Sequence, residues 1–163
     1  MWVYLLEESD FGMKVPRDAA RRTRVLVAIE HGNVDSCSFI RQVGQLDREC
    51  IDDWRYLMLD LCRKARSGMP LAALFGTNWR EVDTWQICTV SGVMSVSTFL
   101  LTRGCIALLG LVVESGHVLV ISTCKNRRGI PNQADLARCR RDADGFCHAI
   151  QRNVLQYLPR SMS

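Results

Sequence analysis

Apolar residues recur at helical spacing over several stretches of this chain and crowd into nearly continuous runs over two others. Between Ser36 and Leu46, Phe39, Ile40, Val43 and Leu46 form one stripe opposite Arg41, Gln42 and Gln45. From Asp47 to Arg66 the stripe is Ile51, Trp54, Leu57, Met58, Leu61 and Cys62, with acidic residues leading and basic ones following, as the helix dipole prefers. Gln133 to Leu158 repeats the pattern with Leu136, Cys139, Ala143, Phe146, Cys147, Ile150, Val154 and Leu158. Each stretch is expected to be an amphipathic helix. Ser67-Gly68-Met69-Pro70 breaks the second of them, Leu71 to Phe75 adds one apolar turn, and Gly76-Thr77 ends it. Trp2 to Phe11 reads as a short first helix. Arg17 to His31 reads as another, stopped by Gly32-Asn33, with a strand at Val25 to Ile29 as its rival because periodicity alone does not decide so short an apolar run.

The two continuous runs matter most for the fold. Val82 to Leu101 carries a single charge, Asp83, and follows Asn78 with Glu81 three residues later, an imitation of a capping box. It is expected to be a central helix buried on most sides. Cys105 to Cys124 has two readings: a helix antiparallel to that one, or a β-hairpin of Ile106 to Val113 and Val118 to Thr123 around Glu114-Ser115-Gly116-His117. Neither half reaches the roughly 20 apolar residues of a membrane-spanning helix. The pattern therefore predicts a largely helical single domain over residues 1–163, with 82–101 as its central helix and 105–124 left between its two readings.

Composition narrows the function classes. The chain of 163 residues is 48% hydrophobic and 23% charged, as expected of one self-sufficient core rather than of disorder. Its net charge of +4 is a mild basic excess without a long basic block, so nucleic acid is not an expected partner. Eight cysteines are scattered without a C-x-x-C pair and, with no secretory signal at the start, read as buried thiols in a reducing compartment. His31, His117 and His148 are far apart and fit no metal-ligand spacing, and no glycine-rich phosphate loop occurs. Arg127-Arg128 and Arg138/Arg140/Arg141 are the groups suited to phosphate or an acidic partner, although such runs are usually solvated. An enzyme, a metal or a cofactor is not expected.

Leu74-Phe75-Gly76-Thr77-Asn78-Trp79-Arg80-Glu81-Val82 resembles the start of the central helix in the Bcl-2 family, where an apolar-Phe turn precedes Asn-Trp-Gly-Arg and an apolar run. Gly32-Asn33 stands at about the place of the family's Gly-Asp element. Arg80 replaces the Gly after Trp, Glu81 takes the Arg position, and Arg128-Gly129 is the nearest remnant of a Gly-Gly-Trp element. The absence of a hydrophobic tail is similar to virus-encoded, iridovirus-like pro-survival members. The resemblance implies an all-α bundle of about seven to eight helices around a buried central helix at 82–101, and an inhibitor of apoptosis that takes BH3 helices of pro-apoptotic host proteins into a hydrophobic groove. Phe39, Val43, Leu46, Tyr56 and Leu59 would line it, Arg80 would anchor the ligand's carboxylate, and Asn78 would cap the central helix. It further implies a homodimer that shields the groove, no integral membrane segment, and a place in the host cell cytoplasm or at the mitochondrial surface. Two other readings stand beside it: a death-fold-like helical adaptor binding through charged surfaces, and a small α/β enzyme or nucleotide-binding protein with a β-hairpin near Ser115-Gly116.

Overall fold

Both continuous apolar runs are pairs of strands. In the computed structural model, which describes residues 1–14, 23–29, 37–113, 117–128 and 130–159, the strands are β1 (Trp2–Leu5), β2 (Arg24–Ile29), β3 (Trp79–Thr89), β4 (Gly92–Arg103), β5 (Ile106–Val113), β6 (Val118–Asn126) and β7 (Gln156–Tyr157). The helices are α1 (Ser38–Gly44), α2 (Arg48–Ser67), α3 (Leu71–Phe75) and α4 (Gln133–Gln151). The strands form one seven-stranded sheet in the order β3-β4-β5-β6-β2-β1-β7. From β3 to β6 the sheet is an antiparallel meander, β6 lies parallel to β2, β2 antiparallel to β1, and β1 parallel to β7.

The expected all-α, Bcl-2-like bundle is thereby overturned, together with its central helix at 82–101. That segment is the β3–β4 hairpin, in register from Trp79↔Leu101 to Thr89↔Gly92. Its residues explain why. Val82, Thr84, Ile87, Thr89, Val93, Val96 and Thr98 are β-branched, stiff in a helix and well suited to a pleated surface. Gly92 at the turn adopts φ 141°, which side chains avoid. The run looked like a buried helix because it is apolar with a single charge, although β3 is a largely exposed edge strand and only the end of β4, from Val96 to Leu101, is mostly buried. Of the two readings of 105–124 the hairpin is the one formed, and at 25–29 the strand displaces the helix. Trp2 to Leu5 is a strand followed by a 3-10 turn at Glu8–Phe11. The three amphipathic stripes do form helices, α1, α2 and α4, although the last ends at Gln151, short of Leu158. Gly32-Asn33, His31, Ser115-Gly116 and Gly129 lie outside the described residues.

Alternation along the strands divides two hydrophobic layers. Val25, Val27, Leu119, Ile121, Ile106, Leu108, Phe99 and Leu101 meet α2 through Leu57, Met58 and Leu61. Leu26, Val118, Val120, Leu109, Leu111, Val96 and Leu100 belong to the layer of Cys139, Ala143, Phe146 and Cys147 from α4. Each large side chain so buried contributes about 1.5–3 kcal/mol of transfer free energy, which makes the central strands the anchor of the fold. Two bulges shift the parity. One leaves Val82 unpaired between Glu81↔Phe99 and Asp83↔Thr98, and the other leaves Ser122 unpaired between Ile121↔Gly110 and Thr123↔Leu109. At the second, Gly110 is required because a Cβ there would sit 2.5 Å from the Val120 carbonyl oxygen and 2.8 Å from the Phe99 ring.

Polar contacts fix the periphery. Glu8 is buried and accepts two hydrogen bonds from Arg66, at 2.8 Å from Nε and 2.6 Å from Nη2, tying the 3-10 turn to the end of α2. These bonds hold the Arg66 guanidinium above its ordinary pKa. A disulfide between Cys50 and Cys105 joins α2 to the β4–β5 turn, against the expectation that all cysteines stay thiols. The pairing was invisible in the spacing because 55 residues separate the partners.

Gly110→Ala is expected to lower stability by at least about 1–3 kcal/mol, the range for overpacking, since a backbone carbonyl stands in the way; a thermal melt unchanged from that of the parent would contradict the bulge geometry. Thiol titration of the denatured, unreduced protein should find six of the eight cysteines reactive, and eight would show that Cys50 and Cys105 are not bonded.

Candidate anion-binding site

The root of the β3–β4 hairpin meets the loop that enters α4. Phe75 ends α3, a 3-10 turn at Gly76–Asn78 redirects the chain, and Trp79 begins β3. Trp79 is stacked between two phenylalanines, 4.3 Å from the Phe99 ring centroid and 6.1 Å from that of Phe75, with interplanar angles of 10° and 17°. This stack secures the start of the strand, so the next residue is placed with little freedom. Arg80 pairs with Leu100 and therefore shares its face, the side of the sheet that α4 covers further along.

The other wall comes from the end of β6. The Arg127 backbone N–H donates to the Cys105 carbonyl at 2.7 Å, which holds the loop against the β4–β5 turn. Five residues on, Asn132 caps α4: its side chain accepts from the Asp135 N–H at 2.8 Å, and Asp135 accepts in return from the Asn132 N–H at 3.3 Å. Asp135 is buried, and Lys125 of β6 neutralises it at 2.6 Å. Strand end, loop and helix start are thus locked together, and Arg127 projects from a fixed frame.

Between these walls lies a cavity of about 270 Å³ lined by Thr77, Asn78, Arg80, Leu100, Thr102, Arg127 and Ile130. Its charged lining consists of two guanidiniums. Several other cations are committed elsewhere: Lys64 and Arg103 to Asp60, Arg66 to Glu8, Lys125 to Asp135, and Arg140 to Asp83. Arg80 and Arg127 take part in none of these ion pairs among the described residues. Arg103 also lies over the Tyr56 ring at 4.0 Å, and Arg140 over Trp85 at 5.2 Å. The site therefore offers two charged forks, two hydroxyls and an amide to an anion, in a lining without a carboxylate among the described residues.

The residues expected to line a BH3 groove do not converge. Phe39 of α1 is buried in the core; Val43, Leu46 and Leu59 pack partly buried against the same core; and Tyr56 is exposed beneath Arg103. Asn78 ends a 3-10 turn and caps no helix, whereas Arg80 stands on a strand. The apolar stripes of α1 and α2 are spent on the sheet, so the helix-lined groove that BH3 capture needs has no counterpart among the described residues. Sequence reasoning did single out Asn78, Arg80 and Arg127, but for separate roles; only the pairing of β3 with β4 and the course of β6 bring them together.

Groups with catalytic potential lie elsewhere. His148 is on the exposed side of α4 and His117 lines a cleft on the opposite face of the sheet, near Trp79 and Ser97. No group of three or more His, Cys, Asp or Glu residues is placed to hold a metal among the described residues. Burial pushes the Cys124 and Cys139 thiols up to about 12, with a Ser122 hydrogen bond opposing the rise at Cys139. In the unfolded chain these thiols ionise near 9.0, so their contribution to stability is complete below pH 9 and is lost as the pH rises towards 12. Urea midpoints measured at pH 8, 10 and 11 should fall accordingly, and less steeply for Cys139→Ala; identical slopes would contradict the buried-thiol assignment. Compared with protein-family models, with curated proteins and with solved structures, the chain finds no match, and its function is argued from this geometry.

Proposed function

We propose that this protein binds the phosphodiester backbone of a nucleic acid at the cavity between the β3–β4 root and the loop before α4. The observation that carries this reading is the convergence of Arg80 and Arg127, neither held by an acidic partner among the described residues, on one lining that contains no carboxylate. A guanidinium presents several N–H donors in a planar fork that matches two phosphate oxygens at once. Thr77, Asn78 and Thr102 add neutral hydrogen-bonding groups suited to the remaining oxygens and to sugar hydroxyls.

The surroundings favour a polymer over a small buried ligand. Arg80, Arg127 and the following Arg128 are exposed, so the cavity opens onto the surface. After the bulge at Val82, the same face of β3 carries Asp83 and Trp85, with Arg140 above them, and extends the polar surface along the strand. Trp85 is partly buried, packs against the α4 layer and lies beneath Arg140 at the edge of this surface. The mild net charge is no obstacle, because local phosphate attraction depends on where the cations converge and not on their sum. No nucleophile-and-base pair lies in the cavity lining, and binding is the activity assigned.

Fluorescence anisotropy with labelled single-stranded RNA and DNA 12-mers tests the proposal. Binding should weaken steeply between about 50 and 200 mM salt, as release of counterions requires, and each arginine removed should reduce the salt slope by about 1. Arg80→Ala combined with Arg127→Ala should weaken binding about tenfold or more, whereas Arg63→Ala on the outer side of α2 should leave it unchanged. Absence of binding to every oligonucleotide at low salt, from a folded sample, would refute the reading.

A further inference from the structure

A second site stands at the C-terminal ends of β2 and β6. These strands run parallel and stay in register from Arg24↔Val118 to Val27↔Ile121. Beyond that point β2 continues to Ile29 beside β1, while β6 continues to Asn126 beside β5. The chain after β2 enters α1, whose Phe39 joins the α2 layer, and the chain after β6 enters α4 on the other face. Parallel neighbours whose connections leave to opposite faces open a crevice at their carboxyl ends, the place where open α/β sheets accept ligands. A cavity of about 410 Å³ occupies that place, within the size range of small-molecule sites.

The chemistry of its lining is specific. Arg138 and Arg141 enter from α4 and Arg41 from α1, with Ser122 on the strand between them. Ser122 is the bulged residue of β6, and it donates to Asp142 at 2.7 Å, the one carboxylate in the lining among the described residues. Arg138 has a buried Nη1 with no hydrogen-bond partner, and neither Arg138 nor Arg141 joins an ion pair among the described residues. A buried guanidinium donor left unpaired costs the desolvation of that group, on the order of 1–3 kcal/mol or more, which an acceptor entering the crevice would recover. Two uncommitted guanidiniums match the charge of a dianion, while Ile29, Phe39 and Ile121 provide an apolar wall for the body that carries it.

We infer that this crevice binds a small phosphomonoester, with Arg138 and Arg141 on the phosphate. The inference is independent of the nucleic-acid reading, since it uses another cavity and other arginines. A phosphomonoester can come as a nucleotide or as a sugar phosphate, and the test separates these.

Calorimetric titration of the full chain with adenosine, guanosine, cytidine and uridine 5′-monophosphates, glucose 6-phosphate and inorganic phosphate is the experiment. At least one organic phosphomonoester should bind at micromolar to low-millimolar concentration, more tightly than inorganic phosphate. Arg138→Met should weaken it tenfold or more, and Arg141→Gln, at an exposed position where folding does not depend on the side chain, should weaken it at least threefold. The Arg80→Ala/Arg127→Ala protein should bind it as the parent does. Preference among the nucleotides would identify the base as the apolar body, and preference for glucose 6-phosphate a sugar. Failure of all these compounds at 10-fold molar excess and millimolar concentration, or affinity indifferent to both Arg138→Met and Arg141→Gln, would overturn the inference.

Discussion

Burial of the central strands on both faces governs this molecule. β5, β6 and β2 carry apolar side chains upward and downward at once, because α1 to α3 cover one side of the sheet and α4 the other. A strand in that position has no wet face, and a shift of one residue would exchange its two sets of side chains between layers of different shape. Register is therefore tightly specified where the pairing is longest, and the departure from it in β6 has a local cause. The bulge at Ser122 is that departure: Gly110 opposite it leaves room for the Val120 carbonyl and the Phe99 ring that any Cβ would strike.

The polar groups with chemical potential are placed by this same constraint. Interior positions of the sheet are taken by packing, so arginines and hydroxyls collect where strands end, part or bulge. Arg80 stands at the start of β3, held by the Trp79 stack, and Arg127 just beyond β6, held by its backbone bond to Cys105. Ser122 stands in the bulge and Arg138 beside the point where β2 and β6 diverge. For each of these arginines a rigid element positions a guanidinium that joins no ion pair among the described residues, the condition under which an external anion gains most from binding.

Ion pairing reinforces the distinction between frame and site. Glu8 with Arg66, and Asp135 with Lys125, are carboxylates buried in the frame and satisfied by charge-assisted bonds of 2.6 Å. Exposed pairs such as Arg140 with Asp83 contribute little to stability and chiefly shape the surface potential. The Cys50–Cys105 link adds a covalent tie between α2 and the turn that supports Arg127.

The sequence by itself determined the positions of α1, α2 and most of α4, because a helix with one wet face writes its 3.6-residue period directly into the chain. It also contained the 106–113 and 118–123 hairpin as one of two readings, and marked Asn78, Arg80, Arg127, Arg138 and Arg141 as residues of interest. Only the tertiary structure decided that 82–101 is a hairpin and not a central helix, since an apolar run with a single charge fits either period and pairing with the neighbouring strands selects one. The Bcl-2 resemblance rested on a short match at Asn78-Trp79, residues whose work here is to end a turn and begin a strand. Convergence of arginines was equally illegible, because Arg80 meets Arg127, and Arg41 meets Arg138, through strand pairing and sheet topology that no local pattern encodes.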